Sequence, residues 1–408
     1  MLTTRDPVGQ RSETVRRANL SAIVRELHLR GPQTRSELGV RTGLTRSAIR
    51  GLIGELVAGH VADEAPSGSA GLPGRPSPVV TPDKRAAMAL ALEINVDSLA
   101  VALVGFGGSV HRVERVDRPR GHLSLDDIVG DLVDLSRPIL DPLRGDPTLL
   151  GIGVAVAGIV RRGDGMVRQA PNLGWRDEPL GDRLRAALGV ESSLVVANEG
   201  DLGGLAEHRR GAAVGAKAVV YVTGEVGIGG NVIVDGRPLL GASGYAGEIG
   251  HMPMDPQGGP CGCGSRGCWE TLIGERALLR LAERPPDGGR EAIAEVIAAA
   301  TAGEDRALAA MDHVGTWLGI GIVGLVNIFD PTLVVLGGLF DRLHPFVADR
   351  VSAVLDERAL PAARELVTVV PGALGADAPV LGAAELAFEP FLADPAAHLR
   401  PTTSVVSA

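Results

Sequence analysis

All three cysteines of this 408-residue chain lie within eight residues, as Cys261-Gly-Cys263-Gly-Ser-Arg-Gly-Cys268, and His251 stands ten positions before the first of them. Cys261 and Cys263 are too close to form an unstrained disulfide, and no cysteine exists outside the cluster to accept one. Thiolates and imidazole are zinc ligands, and glycine accepts the backbone angles that wrapping an ion requires. The alternative of three unrelated thiols, some of them buried, explains the clustering less well. We therefore predict one structural Zn²⁺ bound by His251, Cys261, Cys263 and Cys268.

Composition is that of a globular protein of two or three domains, with 45% hydrophobic and 22% charged residues. The longest uncharged apolar run, residues 314–329, is shorter than the roughly 20 residues that a membrane span needs, and its glycines suit a closely packed core helix. No segment resembles a secretory signal, and thiols kept for metal fit a reducing compartment. We expect a cytoplasmic protein with no membrane partner.

Charge is divided unevenly along the chain. Residues 1–85 hold 13 basic against 8 acidic side chains, whereas the remainder holds 27 against 41. A basic N-terminal segment on an acidic body indicates that only this segment meets an anion such as DNA.

The N-terminal segment carries three helical signals in succession. The first is a helical stripe of Val15, Leu20, Ile23, Val24 and Leu27. Thr34 and Glu37 form a capping-box pattern that predicts a second, short helix ending at Gly43. Thr45 is typical of an N-cap and opens a third helix, whose predicted inward stripe is Ile49, Leu52, Ile53 and Leu56. This order predicts a helix-turn-helix.

Candidate DNA contacts lie at the start of the third helix and in the loop that follows it. At the helix start we select Thr45, Arg46, Ser47 and Arg50 as residues that would reach the major groove. Residues 61–80 predict a hairpin interrupted by a glycine-rich, wing-like loop, whose Arg75 could enter the minor groove. The alternative is a small helix bundle with solvated arginines, but the basic charge and the wing favour DNA. An aromatic content of 3% argues against a stacking surface for single strands.

From Arg85 onward, strand and helix patterns alternate, which predicts an α/β fold. Predicted strands lie in a hairpin over 88–104 and at 149–156, 194–197, 219–223, 231–234, 333–336 and 366–370. Residues 394–408 are polar, and we expect them to be disordered.

The residues that flank the cysteine cluster extend the signal beyond metal chemistry. Gly247-Glu248-Ile249-Gly250-His251 leads into it and Cys268-Trp269-Glu270-Thr271 leaves it. This pattern resembles the ROK family (repressors, open reading frames and sugar kinases). The resemblance implies a two-lobed, actin-like ATPase/sugar-kinase α/β fold preceded by a winged helix-turn-helix domain. The expected organisation is an arm (1–12), a DNA-binding domain (13–84), a first lobe (85–198), a second lobe with the zinc loop and a C-terminal return helix (199–392), and a disordered tail (393–408).

The resemblance also implies a sugar site. By analogy with the family, Asn198, Glu199, Glu248, His251 and Glu270 surround the sugar, and zinc on one nitrogen of His251 leaves the other free to bond a hydroxyl. Carboxylates and amides suit a polyol because they accept from and donate to adjacent hydroxyls.

Two features that a ROK kinase needs are altered. The first phosphate loop should resemble Asp-x-Gly-Gly-Thr, but the chain has Glu93-Ile-Asn-Val-Asp97, without either glycine and with a carboxylate that would repel phosphate. The catalytic base should be the Asp of an Asn-Asp pair, but the chain has Asn198-Glu199. A misplacement of about 1 Å can cost roughly 10²-fold in rate. Glycines at 227–230 and 336–338 are retained, which is weak evidence for nucleotide binding because turns also need them.

We therefore predict a sugar-responsive, DNA-binding transcriptional regulator that acts as a repressor. We predict no catalytic residue, because the base position is degenerate at Glu199. Its expected partners are a double-stranded DNA operator, a sugar or sugar-phosphate effector and a second copy, in a homodimer or homotetramer, because palindromic operators demand a fixed spacing between two reading heads. Two alternatives stay open: an active sugar kinase with an appended head, and a zinc-stabilised sugar-binding module whose head binds protein.

Overall fold

The computed structural model describes residues 8–66, 77–121, 124–190 and 192–399, without the side chains of residues 8–11. The N-terminal part, here called the head, has the predicted three helices and a short sheet of order β1-β3-β2. Its elements are α1 (Val8–Arg30), β1 (Gln33–Thr34), α2 (Arg35–Thr42), α3 (Arg46–Ala58), β2 (Ala62–Ala65) and β3 (Val79–Pro82).

Local signals in the head act as predicted. Thr34 and Glu37 form the capping box of α2, and Gly43 ends that helix in the left-handed region with φ 70°. Thr45 caps α3, whose four predicted apolar residues are buried. Two details differ from the prediction: α1 begins at Val8, inside the expected arm, and Val15 is 58% exposed because the buried stripe begins at Leu20.

The first lobe is built on a five-stranded sheet of order β11-β7-β4-β5-β6. β4 pairs antiparallel with β5 and parallel with β7, which in turn pairs parallel with β11. The lobe also has a separate small antiparallel sheet of order β10-β9-β8. Its elements are β4 (Met88–Ile94), β5 (Ser98–Gly105), β6 (Ser109–Asp117), α4 (Leu125–Leu140), β7 (Leu149–Val156), β8 (Ile159–Arg161), β9 (Met166–Ala170), β10 (Trp175–Glu178), α5 (Leu180–Leu188) and β11 (Ser193–Asn198).

The second lobe repeats this plan in a sheet of order β14-β13-β12-β15-β16, in which β12 pairs antiparallel with β13 and parallel with β15. Its elements are β12 (Val219–Gly224), β13 (Ile228–Val234), β14 (Arg237–Pro238), α7 (Glu270–Ile273), α8 (Glu275–Leu281), α9 (Gly289–Thr301), α10 (Asp305–Phe329), β15 (Leu333–Gly338), α11 (Leu339–Arg358), α12 (Pro361–Arg364) and β16 (Thr368–Pro371). Helix α6 (Glu199–Arg210) joins the lobes, and α13 (Ala378–Ala393) closes the chain.

Helix α10 is a core helix of the second lobe. In the described part of the chain it is the one helix long and apolar enough to cross a membrane, yet its buried residues pack inside the protein. A Cβ at Gly319 would lie 2.8 Å from Cβ of Val354, and one at Gly321 would lie 2.1 Å from the Trp269 ring. Glycine at these positions therefore permits the close packing that the sequence predicted.

The C-terminal helix α13 packs on the first-lobe sheet, so the predicted boundary that assigned it to the second lobe differs from the structure. A Cβ at Gly153 of β7 would lie 1.8 Å from the Ala383 carbonyl oxygen, which shows how closely helix and sheet approach.

The chain then continues as a 3-10 turn, Pro395–Ala397, against α1. The predicted disordered tail therefore does not begin at 393, because residues 394–399 pack on the head; residues 400–408 lie outside the described range.

Head and body are not joined by a loose linker. One continuous apolar cluster contains Leu20, Ile23 and Leu27 of α1 together with Phe388 and Phe391 of α13. Because burial of apolar surface is the main stabilising contribution, the head and the first lobe are expected to unfold together.

Candidate functional site

A cleft of about 560 Å³ lies between the lobes, where loops from both sheets converge. It is lined by the five predicted sugar residues Asn198, Glu199, Glu248, His251 and Glu270, and also by Cys261 and Cys263 of the cysteine cluster. Residues from four separate segments thus meet at one opening. The clustering fits a small polar ligand held by both lobes.

The four predicted metal ligands come together beside this cleft. His251, Cys261, Cys263 and Cys268 each offer one ligand atom, and these atoms all lie within 4.8 Å of one another. The Sγ atoms of Cys263 and Cys268 are 3.8 Å apart. Glycine is required in this loop: at Gly267, with φ 64°, a Cβ would lie 1.7 Å from the Asp255 carbonyl oxygen. One nitrogen and three sulfurs form a donor set that fits a metal ion.

His251 connects the cysteine cluster to the cleft. Its Nδ1 lies 3.5 Å from Sγ of Cys261, and its Nε2 lies 3.9 Å from a carboxylate oxygen of Glu248. One ring nitrogen therefore faces the cysteines and the other faces a residue that lines the cleft. A metal on Nδ1 would fix the ring and leave Nε2 for a ligand.

The loop is anchored in the protein core by the residue that follows the last cysteine. Trp269 is fully buried, and its Nε1 donates to the Trp317 carbonyl oxygen at 2.8 Å. The next residue, Glu270, returns to the cluster, with Oε1 2.8 Å from Sγ of Cys261. The Cys268-Trp269-Glu270 sequence thus holds a predicted metal ligand, a core anchor and a cleft carboxylate in consecutive positions.

Asn198 and Glu199 lie at the junction of β11 and α6. Asn198 caps α6 by accepting from the backbone N–H of Gly200 and Asp201, and its Nδ2 donates to the Gly158 carbonyl oxygen at 2.9 Å. Glu199 has a buried Oε2 with no hydrogen-bond partner. Burial, followed by the nearby charges of Glu225, Glu93, Asp97 and Glu248, raises the pKa of Glu199 to about 8. An unpaired polar group at the cleft fits a ligand hydroxyl.

Glu225 was not predicted, although it also lines the cleft. It follows directly on the end of β12, and the carboxyl ends of strands are where α/β proteins place their ligand groups. Its position at the end of a predicted strand is the sequence signal that could have identified Glu225. Burial and the carboxylates of Asp97, Glu93 and Glu275 raise its pKa to about 7, against the opposing charge of Arg290.

The region that corresponds by resemblance to the kinase phosphate loop is occupied by ion pairs. Asp97 accepts from Arg120 of the first lobe and Arg290 of the second, each at 2.8 Å, and Glu93 accepts from Arg115 at 3.0 Å. Arg120 also pairs with Glu275 across the cleft. The remaining space at Glu93, Glu199 and Glu225 is about 20 Å³. These carboxylates and arginines stabilise one another, while Val96 of the same loop and the glycines at 227–229 line the main cleft.

The predicted DNA contacts on the head are placed together as far as they are described. Thr45, Arg46, Ser47 and Arg50 are exposed at the N-terminal end of α3. Thr45 also has a structural role, because its Oγ1 accepts from the Ala48 N–H at 3.4 Å. Arg75 lies outside the described residues. The exposed N-terminal end of α3 remains accessible to a DNA groove.

The fold and the site define the class of protein. It has a two-lobed α/β body with the sugar-kinase fold, a helix-turn-helix head before it, and a Cys₃His cluster beside the interlobe cleft. Residues 89–389 match the ROK family. The chain belongs to the ROK family.

Three relatives place the chain within that family. It is 28% identical over 382 residues to the xylose repressor of Bacillus spizizenii, covering 93% of this chain and 97% of that protein. It is 32% identical over 248 residues to the glucokinase of Halalkalibacterium halodurans, covering 57% of this chain and 74% of that enzyme. A crystal structure of a ROK family transcriptional regulator, a homolog of the E. coli MLC protein, superposes with a TM-score of 0.77 at 23% identity, covering 94% of this chain and 99% of that chain. The repressor-type matches therefore include the head, whereas the glucokinase match covers just over half of the chain.

Proposed function

We propose that this protein is a sugar-responsive transcriptional repressor, in which the head binds an operator and the interlobe cleft binds the sugar. The main support is that the head and the cleft belong to one connected body. The helix-turn-helix head shares an apolar core with the first lobe, and all five predicted sugar residues line the cleft. The likeness to a xylose repressor over 93% of the chain supports the same function. The protein-binding alternative for the head lacks such support.

Zinc is the metal that the cluster fits, because three thiols and one imidazole are a common structural zinc set. Bound zinc would hold the loop and the His251 ring in one orientation. The residues of the chain then do the recognition: Glu248, Glu270 and Glu199 accept from sugar hydroxyls, while Asn198 and Nε2 of His251 complete the polar lining.

Phosphoryl transfer is not part of the proposed function. Ion pairs occupy the phosphate region, and Asp97 is held by two arginines instead of facing a nucleotide. The glucokinase likeness favours the kinase alternative, but it covers 57% of the chain, against 93% for the xylose repressor. We propose a cytoplasmic homo-oligomer, since two heads are needed to read a two-fold operator.

The test selects an operator from a random pool of DNA duplexes and then measures its affinity with and without D-xylose or D-glucose. We expect selective binding to a two-fold sequence and a change in affinity with at least one sugar. Binding of no duplex above the random-sequence level would overturn the repressor proposal.

A further inference from the structure

Helix α6 extends from the sugar cleft to the head. Its N-cap Asn198 and first residue Glu199 line the cleft, and its last residues, Arg209 and Arg210, lie at the junction between head and body. Helix α13 also runs from this region, where Pro379 lines a small space together with Glu199, to α1, but it carries none of the predicted sugar residues.

Tight packing leaves α6 little freedom to absorb a displacement. A Cβ at Gly203 would lie 2.9 Å from the Tyr221 ring, and one at Gly204 would lie 2.6 Å from Cβ of Asn231. On the α13 side, a Cβ at Gly382 would lie 1.9 Å from the Leu202 carbonyl oxygen. Closely packed elements move as units instead of deforming, so a shift at the first turn of α6 moves its last turn.

The last turn of α6 holds a charge network under the head. Arg210 donates through Nε to Glu385 at 2.8 Å and through Nη1 to the His28 carbonyl oxygen of α1 at 2.8 Å. Arg209 donates to Glu385 at 3.1 Å and to Glu389, which also accepts from Arg25 of α1 at 2.9 Å. Two consecutive arginines thus join α6, α13 and α1.

His28 completes this network from the head. It is fully buried, its Nε2 lies 3.0 Å from Glu385, and its Nδ1 accepts from the Gly107 N–H at 3.2 Å. Burial lowers the pKa of His28, and the neutral ring with its proton on Nε2 fits both hydrogen bonds. Buried charges are costly when their partners are removed, so this network favours one arrangement of head and body.

Helix α1 is in turn fixed to the helix that would read DNA. Arg16 of α1 pairs with Glu55 of α3, and both helices contribute to the same apolar cluster. A displacement of α1 therefore carries the exposed N-terminal end of α3 with it. In a dimer on a two-fold operator, such a displacement changes the separation of the two reading helices.

We infer that α6 couples the sugar cleft to the DNA-binding head, and that Arg210 is the positioning residue through which α6 contacts the head. The inference rests on the proposed function. A sugar that contacts Asn198 and Glu199 would shift the N-terminal turn of α6, and Arg210 would pass this shift to α1 through the carbonyl oxygen of His28.

The head has a second attachment that does not include α6, and it supplies a matched control. Arg17 of α1 pairs with Asp394 at 2.9 Å after the end of α13. Loss of this half-exposed pair removes a contact between head and body without touching α6. Comparison of Arg17→Ala with Arg210→Lys therefore separates general loosening from loss of the α6 connection.

The experiment measures the factor by which D-xylose or D-glucose changes operator affinity in the full-length protein, and the factor by which operator changes sugar affinity. Linkage requires the two factors to be equal, and couplings of about 5–150-fold are typical. Arg210→Lys keeps the charge but cannot contact Glu385 and the His28 carbonyl oxygen as the guanidinium does. We expect it to bind sugar and operator with a coupling factor near one, while Arg17→Ala keeps the wild-type factor.

A wild-type coupling factor in Arg210→Lys, or an equal loss in Arg17→Ala, would overturn the inference. A wild-type protein that binds no operator or no sugar would instead overturn the proposed function. Should Arg210→Lys fail to fold, hydrogen exchange of the wild type decides: sugar should change protection in residues 205–211 and 20–30 together. A change near the cleft that leaves residues 20–30 unaltered would contradict the coupling.

Discussion

At the scale of single residues, the cysteine cluster gives the most direct test. Cys263→Ser replaces a soft thiolate with a hydroxyl, which is not among the usual zinc ligands, so we predict loss of the metal and of the sugar response. Elemental analysis should find about one zinc per wild-type chain and much less in the variant. Ser265→Ala, an exposed position in the same loop, is the matched control and should keep its metal. Wild-type protein that is supplied with metal and still contains no zinc would contradict the assignment.

Glu199 gives a pH prediction. Its pKa is raised to about 8 in the folded protein from 4.5, so the folded state holds a proton that the unfolded state has released. Stability is therefore lost as pH rises from about 4.5 toward 8, by up to about 1.4 kcal/mol per pH unit for one such group.

Glu199→Gln removes this titration. We predict that the variant gains stability relative to the wild type between pH 5 and pH 8, measured by urea unfolding at each pH. Glu291→Gln, on the exposed face of α9, makes the same change of residue outside the cleft and is the matched control. If the difference in unfolding free energy between Glu199→Gln and the wild type did not change with pH across this range, the carboxyl would be ionised in the folded protein. Glu225 contributes in the same direction, so part of the slope should remain.

At the scale of elements, the predicted recognition helix α3 can be tested on its own. Arg50 is exposed beside the N-terminal turn, and a bidentate base contact contributes about 1–3 kcal/mol of discrimination. Arg50→Ala should therefore reduce the ratio of operator to random-DNA affinity by about 5- to 150-fold at fixed salt. Arg137→Ala, an exposed arginine of α4, removes the same charge from the body and should leave the ratio unchanged. An unaltered ratio for Arg46, Ser47 and Arg50 variants alike would contradict the assignment.

Alanine substitutions at helix glycines test how closely α6 is packed. Gly204→Ala would place a methyl group 2.6 Å from Cβ of Asn231, and overpacking of this kind costs about 1–3 kcal/mol. Gly54→Ala in α3 meets no atom within 4 Å and should instead stabilise by about 0.5–1 kcal/mol. Opposite signs in denaturant unfolding are expected, and equal effects would show that α6 can shift to make room.

The elements that local chemistry controls were predictable from the sequence. The capping box at Thr34, the N-cap at Thr45 and the strand 149–156 depend on near neighbours and on unbroken apolar runs, and the structure has each of them. Placement of α13 on the first lobe was not predictable, because it depends on a partner more than 200 residues away. The junction of Arg210, Glu385 and His28 was missed for the same reason: charged residues in helices suggest solvent, and only the fold buries them together.

The same distinction holds for the candidate site. The predicted metal ligands and the flanking glutamates could be selected because they lie within the 23-residue stretch 248–270 in a distinctive pattern. Glu225 and the ion pairs of Asp97 come from separate segments and carry no motif. Their positions at strand ends become meaningful only when both sheets are assembled.

At the scale of the whole molecule, the two lobes are held by ion pairs where a kinase would hold nucleotide. Asp97 and Arg120 of the first lobe pair with Arg290 and Glu275 of the second. These contacts are made by side chains of the chain itself, so they join the two lobes directly.

We therefore predict sugar binding without phosphoryl transfer. Calorimetry should detect a sugar in the absence of nucleotide, and a coupled ADP-release assay with the same sugar should stay at background, because Asp97 in the phosphate region is paired with two arginines and Glu199 is protonated below about pH 8. Asp97→Gly, which removes the paired carboxylate, should not create activity, since Glu199 is still protonated below about pH 8 and cannot act as the base. Turnover near the 1–100 s⁻¹ typical of kinases that Glu199→Gln abolishes would establish Glu199 as a working base and the protein as an enzyme.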